Sequence, residues 1–246
     1  MPESPLAGRV ALVTGAAVRV GREITLALAR AGADLAIHYR SSRAAAEELA
    51  EQTRRLGRRA EALPADLSEP EQCRSLVAST VERLGRLDRL VHSASNFHRA
   101  PLSETDERLW NDAMNVNARA GFLIAREAAP ELVKRRGRIV LISDLLATVP
   151  VRNYLAHAVS KAATEGLVRA LAVELAPQVT VNGVAPGTVL VPEGTSFEEA
   201  ARYGRRTLLG RNGEPGDVAE AVVFLCTGPS FITGQVLRVD GGQSIK

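Results

Sequence analysis

Seven short apolar runs punctuate the chain, at residues 9–14, 34–39, 59–63, 87–92, 137–142, 179–184 and 236–239. Runs such as Val10-Ala11-Leu12-Val13 and Ile139-Val140-Leu141-Ile142 show no polar alternation, as expected of central strands covered on both faces. Between the runs lie Ala- and Leu-rich windows with apolar positions at helical spacing, notably 21–31, 44–56, 71–84 and 153–176. This alternation predicts parallel strands joined by crossover helices: an α/β, doubly wound, mainly seven-stranded parallel sheet flanked by helices.

Local punctuation agrees with these windows. Gly32, Gly57 and Gly85 each follow one, where a left-handed C-terminal cap suits glycine. Ser68, Ser103 and Pro215 with Asp217 read as helix starts. No repeat or low-complexity linker divides residues 1–246, which read as a single domain. The stretch 186–213 carries mixed signals and is expected to include a mobile substrate lid at about residues 187–213.

Composition narrows the classes. The 246 residues, 46% of them hydrophobic, suffice for one substantial core. No opening stretch reads as a signal peptide and no apolar run reaches the ~18 residues of a membrane span, so a cytoplasmic protein with no membrane partner is expected. Cys73 and Cys226 lack C-x-x-C spacing and lie among apolar neighbours, so two free structural thiols and no metal site are expected. The net charge of +3 comes from scattered residues such as Arg22, Arg30, Arg54, Arg55, Arg58 and Arg59, each near acidic or apolar neighbours. Solvated helix faces explain them better than a nucleic-acid surface.

The first run leads through Thr14-Gly15-Ala16-Ala17-Val18-Arg19-Val20-Gly21 directly into a helical window. A glycine turn between strand and helix lets backbone N–H groups and the helix dipole meet a pyrophosphate, as in a Rossmann fold. At the end of the second run stands His38-Tyr39-Arg40-Ser41-Ser42, without the acid that would accept the ribose hydroxyls of NAD. Asp34 lies at the wrong end of that run. Arg40 with Ser41 and Ser42 suits a 2′-phosphate and points to NADP(H), although Arg40 can also serve as a cap for the following helix.

These landmarks resemble the short-chain dehydrogenase/reductase family, which carries T-G-x-x-x-G-x-G at this turn. Arg19 replaces the middle glycine, a change similar to the T-G-x-x-x-R-x-G turn of the pteridine reductases within that family. Its guanidinium either reaches cofactor phosphate or an anionic substrate edge, or faces solvent. Asp66-Leu67 resembles the family's adenine-contacting pair, and is also compatible with a helix start at Ser68. His92-Ser93-Ala94-Ser95 stands where the family has Asn-Asn-Ala-Gly, and Ala94-Ser95-Asn96-Phe97 is similar to the pteridine reductase pattern. Phe97 is either a stacking surface for a flat heteroaromatic ring or a buried aromatic without a ligand.

The same resemblance implies the catalytic positions. Met114-Asn115-Val116-Asn117-Ala118 places the family asparagine at Asn117, whose alternative role is a buried amide at a helix kink. The family serine falls at Asp144, thirteen residues before His157. Asp144 also fits as a cap of the following turn, and Ser143 points to the opposite face of the strand. The family's Tyr-x-x-x-Lys becomes His157-Ala158-Val159-Ser160-Lys161, and four-residue spacing puts His157 and Lys161 on one helix face. Imidazole titrates near neutrality, so Asp144 and His157 can form an acid pair, with Lys161 holding the cofactor ribose. Tyr154, seven residues before Lys161 on a similar face, and water are the other candidate donors.

Asn182-Gly183-Val184-Ala185-Pro186-Gly187-Thr188 resembles the family element that meets the nicotinamide, and residues 232–242 match its terminal strand and tail. The resemblance thus implies an NADPH-dependent reductase of a pterin-like small molecule, a dihydropteridine or dihydrofolate. Cofactor contacts are expected from Gly15, Arg19, Val20, Gly21, His38, Tyr39, Arg40, Ser41, Asp66, Leu67, Ser93, Ala94, Ser95, Lys161, Pro186, Gly187 and Thr188. Substrate contacts are expected from Arg19, Ser95, Phe97, Asp144 and Leu190, with Val191 and Pro192 completing the lid. The alternatives are a carbonyl or 3-oxoacyl reductase and an NADP-binding sensor without turnover. A homotetramer formed through the helices around Asn117 and Lys161 and the last strand is also implied.

Overall fold

The computed structural model describes residues 4–190 and 196–246. Among the described residues there are seven strands: β1 (Val10–Thr14), β2 (Asp34–Tyr39), β3 (Ala60–Pro64), β4 (Arg89–His92), β5 (Arg138–Ile142), β6 (Thr180–Pro186) and β7 (Val236–Val239). They form one sheet in the order β3-β2-β1-β4-β5-β6-β7, parallel throughout. The helices between them are α1 (Arg19–Arg30), α2 (Arg43–Arg55), α3 (Pro70–Leu84), α4 (Glu107–Met114), α5 (Ala120–Arg135), α6 (Leu155–Leu175), α7 (Phe197–Gly204) and α8 (Pro215–Thr227). A π-turn, Asn115–Arg119, joins α4 to α5.

Alternate residues of the buried strands feed two separate cores. Ala11 and Val13 of β1 pack with Ile24, Leu28, Leu49 and Val222 under α1, α2 and α8, while Val10 and Leu12 pack with Leu76, Ile124 and Val168 under α3, α5 and α6. The period-two pleat therefore sends apolar side chains both ways, which is why these runs show no polar alternation. The order reverses at β1 and β4, the place where an open parallel sheet leaves a crevice at its carboxyl edge.

Gly32, Gly57 and Gly85 have φ of 107°, 76° and 83°, as expected of helix stops. Two expected helix starts are corrected. Ser68 does not cap α3: its N–H and hydroxyl both donate to Asp66 Oδ1, at 2.9 and 2.7 Å, and the helix begins after Glu69 with Pro70 in its first turn. Ser103 lies inside a 3₁₀ turn, Leu102–Glu104, and Asp106 caps α4 by accepting from the Leu109 N–H at 2.8 Å. Pro215 and Asp217 do open α8, with Asp217 accepting the Glu214 N–H at 2.7 Å. The expected helix 153–176 starts later, at Leu155, because Asn153 has a left-handed φ of 73°.

Both cysteines are buried and free, and burial pushes each thiol up to about 11. The scattered arginines pair on the surface, Arg22 with Glu48, Arg30 with Glu23, Arg55 with Glu51 and Arg59 with Asp34. Among the described residues no helix is long and apolar enough to cross a membrane, and no group of three or more His, Cys, Asp or Glu side chains converges as a metal site.

Asp88 staples the amino edge of the sheet. Its carboxylate, 0% exposed, accepts from the Val10 N–H at 2.9 Å, from Arg86 through two 2.7 Å bonds and from Arg9 at 3.1 Å. Burial pushes this carboxyl up, and the bonds from Arg86, Val10 and Arg9 together outweigh it and hold the group below the usual range. Its stabilising effect is therefore complete above the unfolded-state value and lost as pH falls through the folded one. Asp88→Ala is expected to cost about 3 kcal/mol in urea unfolding at neutral pH, and to flatten the loss of stability of the parent protein below about pH 4.

Candidate active site in the sheet crevice

The turn after β1 is built by close backbone contact. Gly15 has φ 61°, and a Cβ on it would lie 2.7 Å from Ala94 Cα, so a side chain would push β1 and β4 apart. A Cβ on Gly21 would lie 2.1 Å from the Gly15 carbonyl oxygen. Arg19, at the position of the family's middle glycine, keeps a left-handed φ of 54°, a conformation that costs a non-glycine residue about 1 kcal/mol. Val18 supplies no side-chain cap and the first turn of α1 carries no acid, so the positive end of the helix is open to an anion.

His38 braces this turn from β2. Its Nδ1 accepts the Gly15 N–H at 3.0 Å, and its Nε2–H donates to the Ala65 carbonyl at 3.0 Å. Those partners fix the neutral tautomer, and burial lowers the imidazole to about 4, which keeps it neutral. Both its polar atoms are thus committed to backbone, and it shapes the wall of the groove rather than offering it a bond. The groove encloses about 220 Å³ between the Gly15 turn, residues 38–42, Asp66-Leu67 and Ala94-Ser95-Asn96. Hydrogen bonds from Ser68 hold the Asp66 carboxyl below the usual range. Arg40 lines this groove and is exposed, as is Arg19 beyond it, and neither makes a hydrogen bond or ion pair to the described residues.

The other half of the crevice is organised around Asn117 in the π-turn. Its Oδ1 accepts the Asn96 N–H at 2.7 Å, and its Nδ2 donates to the Asn96 carbonyl at 3.0 Å and to Ser160 Oγ at 2.9 Å. His157 is 2% exposed, and its Nδ1 lies 3.0 Å from the same Asn96 carbonyl. A carbonyl oxygen only accepts, so Nδ1 carries a proton and Nε2 lies on the opposite side of the ring, toward Asp144. Nε2 has no hydrogen-bond partner among the described residues; Asp144 Oδ2 stands 3.4 Å away. The other oxygen of Asp144 accepts the Leu146 N–H at 2.8 Å, so this residue is both a turn cap and the neighbour of His157.

Lys161 lies below this pair, 2% exposed, its ammonium donating to the Ile142 carbonyl at 2.9 Å. Burial lowers it to about 8, against the opposing pull of the Asp144 carboxylate. Phe97, 58% exposed, sets its ring edge-on to His157 with centroids 4.6 Å apart and against Tyr154 at 4.8 Å.

The crevice thus gathers Asn117, Asp144, His157, Lys161 and Phe97, while one expectation is corrected. Tyr154 is not a further turn of the His157 face: the left-handed Asn153 breaks the helix, and Tyr154 is its N-cap residue with its ring against Phe97. Ser143 points away from Asp144, donating to the Lys161 carbonyl at 3.3 Å and to Glu165 at 3.2 Å. Ser93 and Ala94 offer their N–H groups to the Thr14 hydroxyl, and Gly187 and Thr188 bond to Val239 and Gln243. Leu190 is exposed; Val191 and Pro192 lie outside the described residues. His92 and Asn96 stand in quoted motifs without an assigned role, and Asp112 lies outside every motif. Asn96 meets Asp112 across 16 positions and His157 across 61, separations at which no local pattern operates. A larger, open hollow of about 550 Å³ lies against the outer side of α6, but among the described residues Arg152 is its one titratable lining group, so the chemistry favours the crevice.

Fold and crevice define a doubly wound, dinucleotide-type α/β protein with Asp144 and His157 side by side near the switch point. A family profile described as Enoyl-(Acyl carrier protein) reductase matches residues 15–244. An uncharacterised oxidoreductase of Methylorubrum extorquens is 36% identical over 97% of this chain and 99% of its own. A short-chain type dehydrogenase/reductase of Picea abies is 39% identical over 97% of this chain and 93% of its own. A blue fluorescent protein from a metagenomic library, solved in complex with NADPH, superposes with a TM-score of 0.90 at 34% identity, covering 97% of this chain and 99% of that one. The chain belongs to the short-chain dehydrogenase/reductase family of nicotinamide-dependent oxidoreductases.

Close packing at the turn makes Gly21 intolerant of any side chain. Gly21→Ala is expected to lower stability by about 2–3 kcal/mol, read as a shifted denaturant midpoint with unchanged slope. An unchanged midpoint would mean that the turn is looser than its contacts indicate.

Proposed function

We propose that the protein is an NADPH-dependent reductase acting on a flat, pterin-like substrate, a dihydropteridine or dihydrofolate. The observation that carries this reading is the Asp144–His157 pair, which stands where the family has serine and tyrosine and sits beneath the exposed ring of Phe97. NADPH, when bound, supplies the hydride that adds to the carbon of a ring C=N bond. A proton must then reach the ring nitrogen. His157 is buried, whereas the Asp144 side chain is 25% exposed, so Asp144 is the outer member that meets substrate and His157 stands behind it as the proton reserve. The Asn96 carbonyl keeps the His157 proton on Nδ1 and leaves Nε2 on the side of Asp144, where a proton can pass between the two groups. Phe97 offers a face for the ring, and Arg19 an anchor for an anionic edge.

The groove fits the cofactor on the chain's own terms. The absence of side chains at Gly15 and Gly21 leaves room for backbone approach, and the open end of α1 suits a pyrophosphate. Arg40, Ser41 and Ser42, with no acid at the end of β2, suit a 2′-phosphate. Asp66 and Leu67 suit the adenine, Ser93 to Ser95 and Pro186 to Thr188 the nicotinamide half, and Lys161 the ribose between them. The solved relative bound to NADPH supports the same choice. A lid at about 187–213, a cytoplasmic setting and a homotetramer belong to this reading; exposed Phe122 on α5, Val173 on α6 and Leu237 on β7 support the last.

Purified protein is expected to bind NADPH at least about tenfold more tightly than NADH by calorimetry, and Arg40→Ala to abolish the difference. With dihydrobiopterin or dihydrofolate it is expected to oxidise NADPH, and Asp144→Asn to lower kcat about 100-fold at unchanged NADPH affinity. NADPH binding without turnover on any imine or carbonyl would leave a sensor; tighter binding of NADH would remove the cofactor assignment.

Lys161 adds a pH dependence. Its charged form falls away as pH rises through about 8, so NADPH affinity of the free protein is expected to weaken above that value. In Lys161→Met the affinity is expected to be lower and flat across that range.

A further inference from the structure

We infer that Asp112 is a positioning residue for the proton-transferring pair, acting through Asn96 on His157; this rests on the reading of His157 as a proton carrier given above. Residues 93–100 form neither helix nor strand, so side-chain bonds decide where their carbonyls point. The Asn117 amide grips Asn96 through its N–H and carbonyl, at 2.7 and 3.0 Å. The N–H and the carbonyl belong to the two successive peptide groups that flank the Asn96 Cα, and one side chain holds both. The third bond comes from α4: Asn96 Nδ2 donates to Asp112 Oδ2 at 2.8 Å. Asp112 Oδ2 also pairs with His98 Nε2 at 2.5 Å, closing the segment on the far side of Phe97.

The consequence falls on one atom. The Asn96 carbonyl that this clamp steadies is the acceptor of His157 Nδ1–H, and that bond selects the ring nitrogen that faces Asp144. If the carbonyl tilts, the imidazole can adopt its other tautomer or turn, and Nε2 no longer meets the carboxylate in the same protonation state. Asp112 and His98 are 33% and 46% exposed, where an ion pair contributes little to folding. The position of Asp112 thus bears on orientation rather than on stability.

The chain has four histidines, so its imidazole nitrogens can be resolved by ¹⁵N-edited NMR alongside kinetics. Asp112→Ala is expected to lower kcat about tenfold, with NADPH affinity and unfolding midpoint unchanged, and to replace the Nδ1-protonated pattern of His157 with a mixture. Asp112→Asn keeps an oxygen for the Asn96 amide and is expected to recover most of the rate and the parent pattern. Unchanged kcat and unchanged His157 signals in Asp112→Ala would overturn the inference. So would equal losses in both variants with weaker NADPH binding and a lower midpoint, the mark of a merely structural residue. Should the parent protein reduce no substrate, the functional reading falls, and the His157 signals decide alone: altered in Asp112→Ala they sustain the positioning role, unaltered they refute it.

Discussion

The Thr14 hydroxyl ties the two halves of the sheet together at the crevice on which the site depends. It accepts the N–H groups of Ser93 and Ala94, each at 3.1 Å, and donates to His92 Nδ1 at 2.9 Å. The opposite nitrogen of His92 donates to the Val116 carbonyl in the π-turn at 3.2 Å. Burial lowers this imidazole to about 3, so it remains a neutral one-donor, one-acceptor bridge. From Val116 the connection passes to Asn117, then Asn96, then His157, so the end of β1 and the His157 ring are linked through one network. Such a network is stiff when every member is satisfied; among its described side chains, His157 Nε2 alone lacks a hydrogen-bond partner.

The same crevice explains where the chain tolerates strain. A left-handed arginine at position 19 sits in a turn otherwise shaped by glycines, and it is exposed, with no hydrogen bond or ion pair to the described residues. The backbone keeps the geometry that the pyrophosphate turn requires, and the side chain adds a cation without altering it. Strain of this kind concentrates at functional sites because the surrounding packing over-determines the local conformation. Asp144 shows a similar economy, one oxygen fixing the turn after β5 while the other faces His157.

Much of this was legible along the chain, for definite reasons. Strand and helix positions followed from apolar runs and helical spacing, since burial on both sheet faces leaves no polar residue inside a central strand. The turn after β1 and the His157–Lys161 pair were legible because each depends on neighbours within a few residues. Helix starts at Ser68 and Ser103 misled, because a hydroxyl that can cap a helix can equally close an Asx or 3₁₀ turn, and nothing local separates the two. Tyr154 misled in the same way: helical spacing relates it to Lys161 only if the helix extends that far, and the left-handed Asn153 ends it first.

The sequence by itself determined the order of elements and the dinucleotide-type turn, and it pointed to Asp144, His157 and Lys161 as candidate site residues. Each of those depends on period, spacing or residue type. Tertiary structure alone decided the tautomer of His157, the neutral bridging roles of His38 and His92, and the grip of Asp112 and Asn117 on Asn96. Those are set by bonds between elements far apart in the chain, where direction in space, and not position along the backbone, selects the partner.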